Sequence, residues 1–288
     1  MTASRPLDAA RRLAVLIDAD NASAKIADGL FEEIATIGEA SVRRIYGDFS
    51  SSRSKGWTDV LTKHAIIPQQ QFAYTIGKNA SDITLVIDAM DLLHSGRFDG
   101  FCLVSSDSDF TRLASRIREQ GVDVYGFGEQ KTPESFRQAC RRFIYTENLL
   151  ADRLGVEGEA SAKKTRALAS LNDAVALFRR VIDQMDTDDE FVNLGSFGKQ
   201  ILNLSPDFDA RTYGFKKLSE LMRATPAFET RARSGGGIEI RLAPQPQNRA
   251  TAQKTAPAKP RAKHSATTGK ADKADKADKA TKSAASKG

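Results

Sequence analysis

Short apolar, β-branched runs alternate with longer amphipathic segments through the first half of the chain. Runs at 13–17, 41–46, 65–70, 100–105 and 122–127 read as strands, because apolar residues crowd them and turn-forming residues bound them. Between them, apolar residues recur at helical spacing over 24–37, 56–63, 81–93 and 110–120, and again over 133–141. Pro133 suits the first turn of that last helix, where its missing N–H loses no partner. Strands interleaved with helices predict an α/β fold, a Rossmann-like three-layer sandwich with a mainly parallel sheet.

The pattern lapses over 151–167 into small and charged residues, which read as a linker. A second domain is predicted over 168–242. Leu171, Val175, Phe178, Val181 and Ile182 share one helical face, 194–202 and 215–222 read as shorter helices, and 227–232 and 238–242 read as two strands. Three helices closed by such a hairpin make a small α+β winged helix. Residues 243–288 are dominated by Ala, Lys, Pro, Thr and Asp, with a repeated Lys-Ala-Asp triplet. That composition cannot pack a core, so a disordered basic tail is expected.

Composition narrows the class. With 288 residues, 40% of them hydrophobic, the chain can support one large or two modest cores. No apolar run reaches the roughly 18 residues of a membrane span, and the first dozen residues lack a signal-peptide pattern, so a cytoplasmic protein without membrane partners is expected. Cys102 and Cys140 form no CxxC pair, which argues against a disulfide framework or a zinc site. The net charge of +6 hints at nucleic acid until it is located along the chain. Residues 243–288 hold 11 Lys and Arg against 3 Asp, a net of +8, so residues 1–242 carry −2. The tail can strengthen binding to a phosphate polymer, but basicity assigns nothing to the folded part.

The candidate chemistry is acidic. Asp18 ends the first strand, Asp107 and Asp109 follow the fourth, and Asp82 opens the helix after the third. A parallel α/β sheet places its ligands at the carboxyl ends of its strands. Carboxylates converging there repel one another, and a proton or a cation relieves the repulsion. Mg²⁺ and Mn²⁺ prefer such oxygen ligands and bridge them to phosphate. Taken singly, Asp82 and Asp109 read better as helix N-caps than as metal ligands. Asp18 does not, because a carboxylate at a buried strand end demands a partner or a metal. Asp20, Asp88 and Asp91 read as assisting or surface groups, and His64, His94 and His264 lie in no triad context.

Five segments carry a family resemblance: VLIDADN at 15–21, IYGDFS at 45–50, GKNASDITLVIDAMDLL at 77–93, LVSSDSDF at 103–110 and FGEQKTPESFRQACRRFIYTENL at 127–149. Together they make 12–150 resemble an NYN domain of the LabA-like group, in the PIN-like nuclease superfamily. The resemblance implies a ribonuclease that uses Mg²⁺ or Mn²⁺. It puts Asp18, Asp82, Asp107 and Asp109 at the metal and Asn21 beside them, with Lys78 and Lys131 in loops suited to phosphate. Residues 168–242 resemble an OST-HTH, or LOTUS, domain, a winged-helix module linked to RNA binding and in some cases to protein partners. On that resemblance Arg211, Lys216 and Lys217 mark the recognition helix, with Lys199 nearby as a phosphate contact. The partner implied is RNA, and a homodimer is compatible with the sequence. A catalytically silent RNA-binding or protein-docking adaptor is the competing expectation. Asp18-Ala19-Asp20 also matches the DxD start of a haloacid dehalogenase-like phosphatase, but a two-residue motif is weak.

Overall fold

Alternate residues of the first strand face opposite ways, and that alternation divides the core of the larger domain into two layers. The structure is a computed structural model that describes residues 10–50, 55–71, 80–154, 169–185, 191–233 and 236–243. In β1 (Arg12–Asp18) Ala14 and Leu16 join one apolar cluster, while Leu13, Val15 and Ile17 join another on the opposite face. Both faces are covered, as an all-parallel sheet requires.

The other strands are β2 (Glu39–Gly47), β3 (Ile67–Gln70), β4 (Gly100–Val104), β5 (Asp123–Gly128) and β6 (Arg142–Tyr145). They form one parallel sheet in the order β3-β2-β1-β4-β5-β6. The helices are α1 (Ala27–Ile37), α2 (Lys55–Leu61), α3 (Ala80–His94), α4 (Thr111–Glu119), α5 (Glu134–Ala139) and α6 (Thr146–Leu154). The chain runs outward from β1 to β3, then crosses back through α3 to β4 on the other side of β1. Strand order therefore reverses between β1 and β4, which opens a crevice at their carboxyl ends.

Three expectations need correction. The sheet has a sixth strand, β6, whose four residues begin at the second of two adjacent arginines without a turn signal. Residues 151–154, assigned to the linker, complete α6, and the rest of the linker lies outside the described residues. Pro133 caps α5 from just outside, with extended backbone, instead of occupying its first turn.

The second domain contains α7 (Leu171–Gln184), α8 (Leu194–Leu204), a 3-10 turn (Ala210–Tyr213) and α9 (Leu218–Arg223). Strands β7 (Val192–Asn193), β8 (Phe228–Ala232) and β9 (Ile238–Leu242) form an antiparallel sheet in the order β7-β9-β8. Phe178 sits at its centre, edge-on to Phe197, Phe208 and Phe228. The helix expected over 215–222 starts three residues late. Gly214 adopts a left-handed backbone at φ 87° that ends the 3-10 turn first. The tail from 244 onward lies outside the described residues. Among the described residues no helix is long and apolar enough to cross a membrane.

Specific polar bonds join the two domains. The N–H of Phe143 on β6, an edge strand, donates to the Pro206 carbonyl at 2.8 Å. Asp207 accepts from Tyr145 Oη at 2.5 Å and Ser205 Oγ at 2.8 Å, and it pairs with Arg137. Burial pushes the Asp207 carboxyl up, but the bonds from Tyr145 and Ser205 and the Arg137 charge outweigh it and hold the group below the usual carboxylate range. Glu33 on α1 is bracketed by Arg142 at 3.1 Å and Arg211 at 2.9 Å, and Arg211 also grips Asp209 at 2.6 Å.

A depressed carboxylate contributes stability that is present above its unfolded pKa and is lost as pH falls through its folded one. Asp207→Ala strands a guanidinium and a phenol at the domain boundary. It is expected to cost about 2–3 kcal/mol in urea unfolding at pH 7. The deficit should begin to shrink below about pH 4, where the unfolded carboxyl takes up its proton, and vanish only once the pH has fallen through the lower folded pKa.

Candidate active site

Ile17 on β1 lies beside Val104 on β4, and this register brings Asp18 next to Ser105 just past the strand ends. Ser105 Oγ donates to Asp18 Oδ2 at 2.7 Å, and Asn21 Nδ2 donates to the same oxygen at 2.8 Å. The other oxygen, Oδ1, accepts the backbone N–H groups of Asp20 at 3.0 Å and Asn21 at 3.3 Å. Asp18 is only 1% exposed, so its charge depends on these four donors. Burial nonetheless wins and raises the Asp18 carboxyl pKa, against the lowering effect of Ser105, Asn21 and Asp20 N–H.

The network continues along the chain. Ser105 Oγ accepts from the Asp107 N–H at 3.0 Å, and Asp107 Oδ1 accepts from the Asp109 N–H at 2.9 Å. Asp107 therefore caps the 3-10 turn Ser108–Phe110 that leads into α4, which leaves Asp109 exposed in its first turn. Gly128 at the end of β5 permits this close packing, because a Cβ there would fall 2.6 Å from the Ser105 carbonyl oxygen. The loop after β1 is pinned from below by Trp57, whose indole N–H donates to the Ala22 carbonyl at 3.0 Å.

Asp82 arrives from the first turn of α3, and Ser81 Oγ ties that turn to Asp20 Oδ2 at 3.2 Å. Its pKa is pushed up to about 6, first by burial and then by the charges of Asp18, Asp107, Asp20 and Asp109, in that order. Acids from three separate stretches of chain thus share one electrostatic neighbourhood. All the donors are carboxylate oxygens, the chemistry that suits a hard divalent cation. Among the described residues, however, no group of three His, Cys, Asp or Glu side chains is arranged to hold a metal ion.

The chain is similar to known domains over both of its folded parts. Residues 12–150 match the NYN domain family and residues 166–240 match the OST-HTH/LOTUS domain family. The chain joins an NYN domain to an OST-HTH/LOTUS domain. No curated protein matches it. Among solved structures, a protein of unknown function from Vibrio parahaemolyticus is 18% identical, with a TM-score of 0.41, over 49% of this chain and 96% of its own.

The NYN domain gathers Asp18, Asn21, Asp82, Asp107 and Asp109 at one end of the sheet. Lys78 lies outside the described residues. Lys131 is exposed and paired with Glu129 at 2.8 Å, so a phosphate there would compete with a carboxylate. Arg211 does not stand on a recognition helix. It belongs to the 3-10 turn before α9 and is committed to Glu33 and Asp209. Lys216 and Lys217 precede α9, Lys217 as its cap residue, and both are exposed, as is Lys199 on α8. Ser105 and Ser81 escaped the sequence reading, although aligning β1 with β4 would have put Ser105 opposite Asp18. Asp88 accepts from Arg44 and from Tyr46 Oη, each at 2.8 Å, and so ties α3 to β2. His64 bonds Asp28 at 2.8 Å and stacks on Phe31, an ordinary satisfied histidine.

An acid whose folded pKa is raised contributes stability below its unfolded pKa that is lost as pH rises through the folded one. For Asp82 the window runs from about pH 4 to about pH 6. Asp82→Asn is therefore expected to raise Tm at pH 7.5 by about 2 °C after solvent screening, with no gain at pH 4. Differential scanning calorimetry at the two pH values checks both halves.

Proposed function

We propose that the protein is a metal-dependent ribonuclease whose NYN domain hydrolyses RNA phosphodiester bonds while its OST-HTH/LOTUS domain holds the RNA. The observation that carries this reading is the convergence of Asp18, Asp82, Asp107 and Asp109 at the β1/β4 crevice, marked by the repulsion felt at Asp82. Those four residues would hold Mg²⁺ or Mn²⁺. The bound cation supplies positive charge that polarises a phosphoryl oxygen and acidifies a water, which is sufficient for phosphodiester hydrolysis.

The chain's own residues do the positioning. Asn21 and Ser105 fix the Asp18 carboxylate, and Ser105 passes that order to Asp107 through its backbone N–H. Asp82 presents its carboxyl from the α3 side and carries a proton below about pH 6, which must leave before the group can act as an anionic ligand. The exposed Asp109 faces incoming solvent.

One observation favours a silent RNA-binding adaptor instead. Asp18 already accepts four hydrogen bonds, and no described trio of side chains is arranged for a metal. Cleavage of a labelled RNA in Mn²⁺ separates the two readings. Asp107→Asn keeps the cap, since Asn caps as well as Asp. It should abolish cleavage while leaving RNA affinity in EDTA unchanged. Metal-independent cleavage, or none from the unmodified protein, sinks the nuclease.

The same reading fixes a pH profile. The apparent affinity for Mn²⁺, read from cleavage rate against Mn²⁺ concentration, should climb about tenfold per pH unit below about pH 6, then level off as Asp82 becomes fully ionised without the metal. An apparent Mn²⁺ affinity that stays flat between pH 5 and 8 removes Asp82 from the metal site.

A further inference from the structure

A cavity of about 780 Å³ lies away from the acids, between α1 and β6 of the NYN domain and α8, the 3-10 turn and α9 of the OST-HTH/LOTUS domain. Its charges divide into two classes. Arg142 and Arg211 line it but are committed to Glu33, and Arg211 also to Asp209, so these four groups cancel. Lys199 and Lys216 also line it, both exposed; among the described residues neither side-chain ammonium forms an ion pair, although the Lys216 backbone N–H donates to Glu220 Oε2 at 3.1 Å. The cavity therefore presents two lysine ammonium groups, one of them near the Glu220 carboxylate, beside an apolar wall of Leu202, Phe208 and Leu218.

That combination specifies the occupant. A bare phosphate ion has no use for the apolar wall, and an apolar peptide would desolvate two lysines, which protein interfaces avoid. The basic tail is excluded by its own charge. A nucleotide supplies both a phosphate and a flat, largely apolar base, and the volume is within the range of ligand pockets. We propose that this interdomain cavity is a nucleotide subsite for single-stranded RNA, with a phosphate between Lys199 and Lys216 and its base against Leu202, Phe208 and Leu218. The assignment rests on the reading of the protein as RNA-binding. It adds that part of the RNA is bound by both domains at once and away from the cleavage site.

The test uses the full chain in EDTA and a short fluorescent oligouridylate, with affinity read by anisotropy over a range of salt. K199A/K216A should weaken binding about tenfold and lower the salt slope by roughly 0.7, the change expected when one phosphate is no longer neutralised. Leu202→Trp fills the cavity but keeps both charges. It should weaken binding by a similar factor without changing the slope. 4-Thiouridine in the same oligonucleotide should crosslink to peptides spanning 195–202 or 208–218, and this needs no variant to fold.

Unchanged affinity in both variants, with crosslinks elsewhere, overturns the subsite and leaves RNA binding intact. Weakening by the lysine substitutions alone reduces the cavity to diffuse attraction and also overturns it. No RNA binding by the unmodified chain overturns both this inference and the reading beneath it.

Discussion

A carboxylate buried at the end of a central strand is a problem that the rest of this molecule is arranged to solve. Leaving the charge of Asp18 without donors would cost several kcal/mol, comparable to the net stability of a domain. Four hydrogen bonds answer it, and each recruits another part of the chain. The two backbone donors force a tight turn after β1, held in place by Trp57. Ser105 is available only because β1 and β4 are neighbours, which follows from the return of the chain through α3. The strand order and the acidic cluster are thus two sides of one constraint.

Much of this was legible in the residues, and what was missed shares a cause. Five strands and their helices show in local periodicity, because each buries apolar residues at a regular interval. The acids at 18, 82, 107 and 109 show through their positions at element ends. The four residues of β6 are too few for a period to emerge, and Arg141 with Arg142 at the strand's start looks like helix surface. Arg211 looked like a phosphate contact because its actual partner, Glu33, lies far away in sequence on another domain. Pairings across 178 positions leave no trace in local pattern. The cap at 107 in place of 109 was a difference of two residues that backbone geometry alone decides.

The domain boundary differs in character from a flexible tether. Asp207, Arg137 and Tyr145 form a partly buried trio, and Glu33 is gripped from both sides. Charged pairs of this kind confer geometry more than stability, since their desolvation offsets much of their attraction. Their short distances hold the two domains side by side in this arrangement, with the cavity walled by both.

The bond from Phe143 N–H to the Pro206 carbonyl has a different kind of significance. A parallel sheet ends in rows of unsatisfied amides that invite strands from other molecules, and β6 is one such border. By laying 206–207 against it, the winged-helix module acts as a guard against intermolecular strand addition. An NYN domain severed from that module would keep its acids and expose that border to other chains.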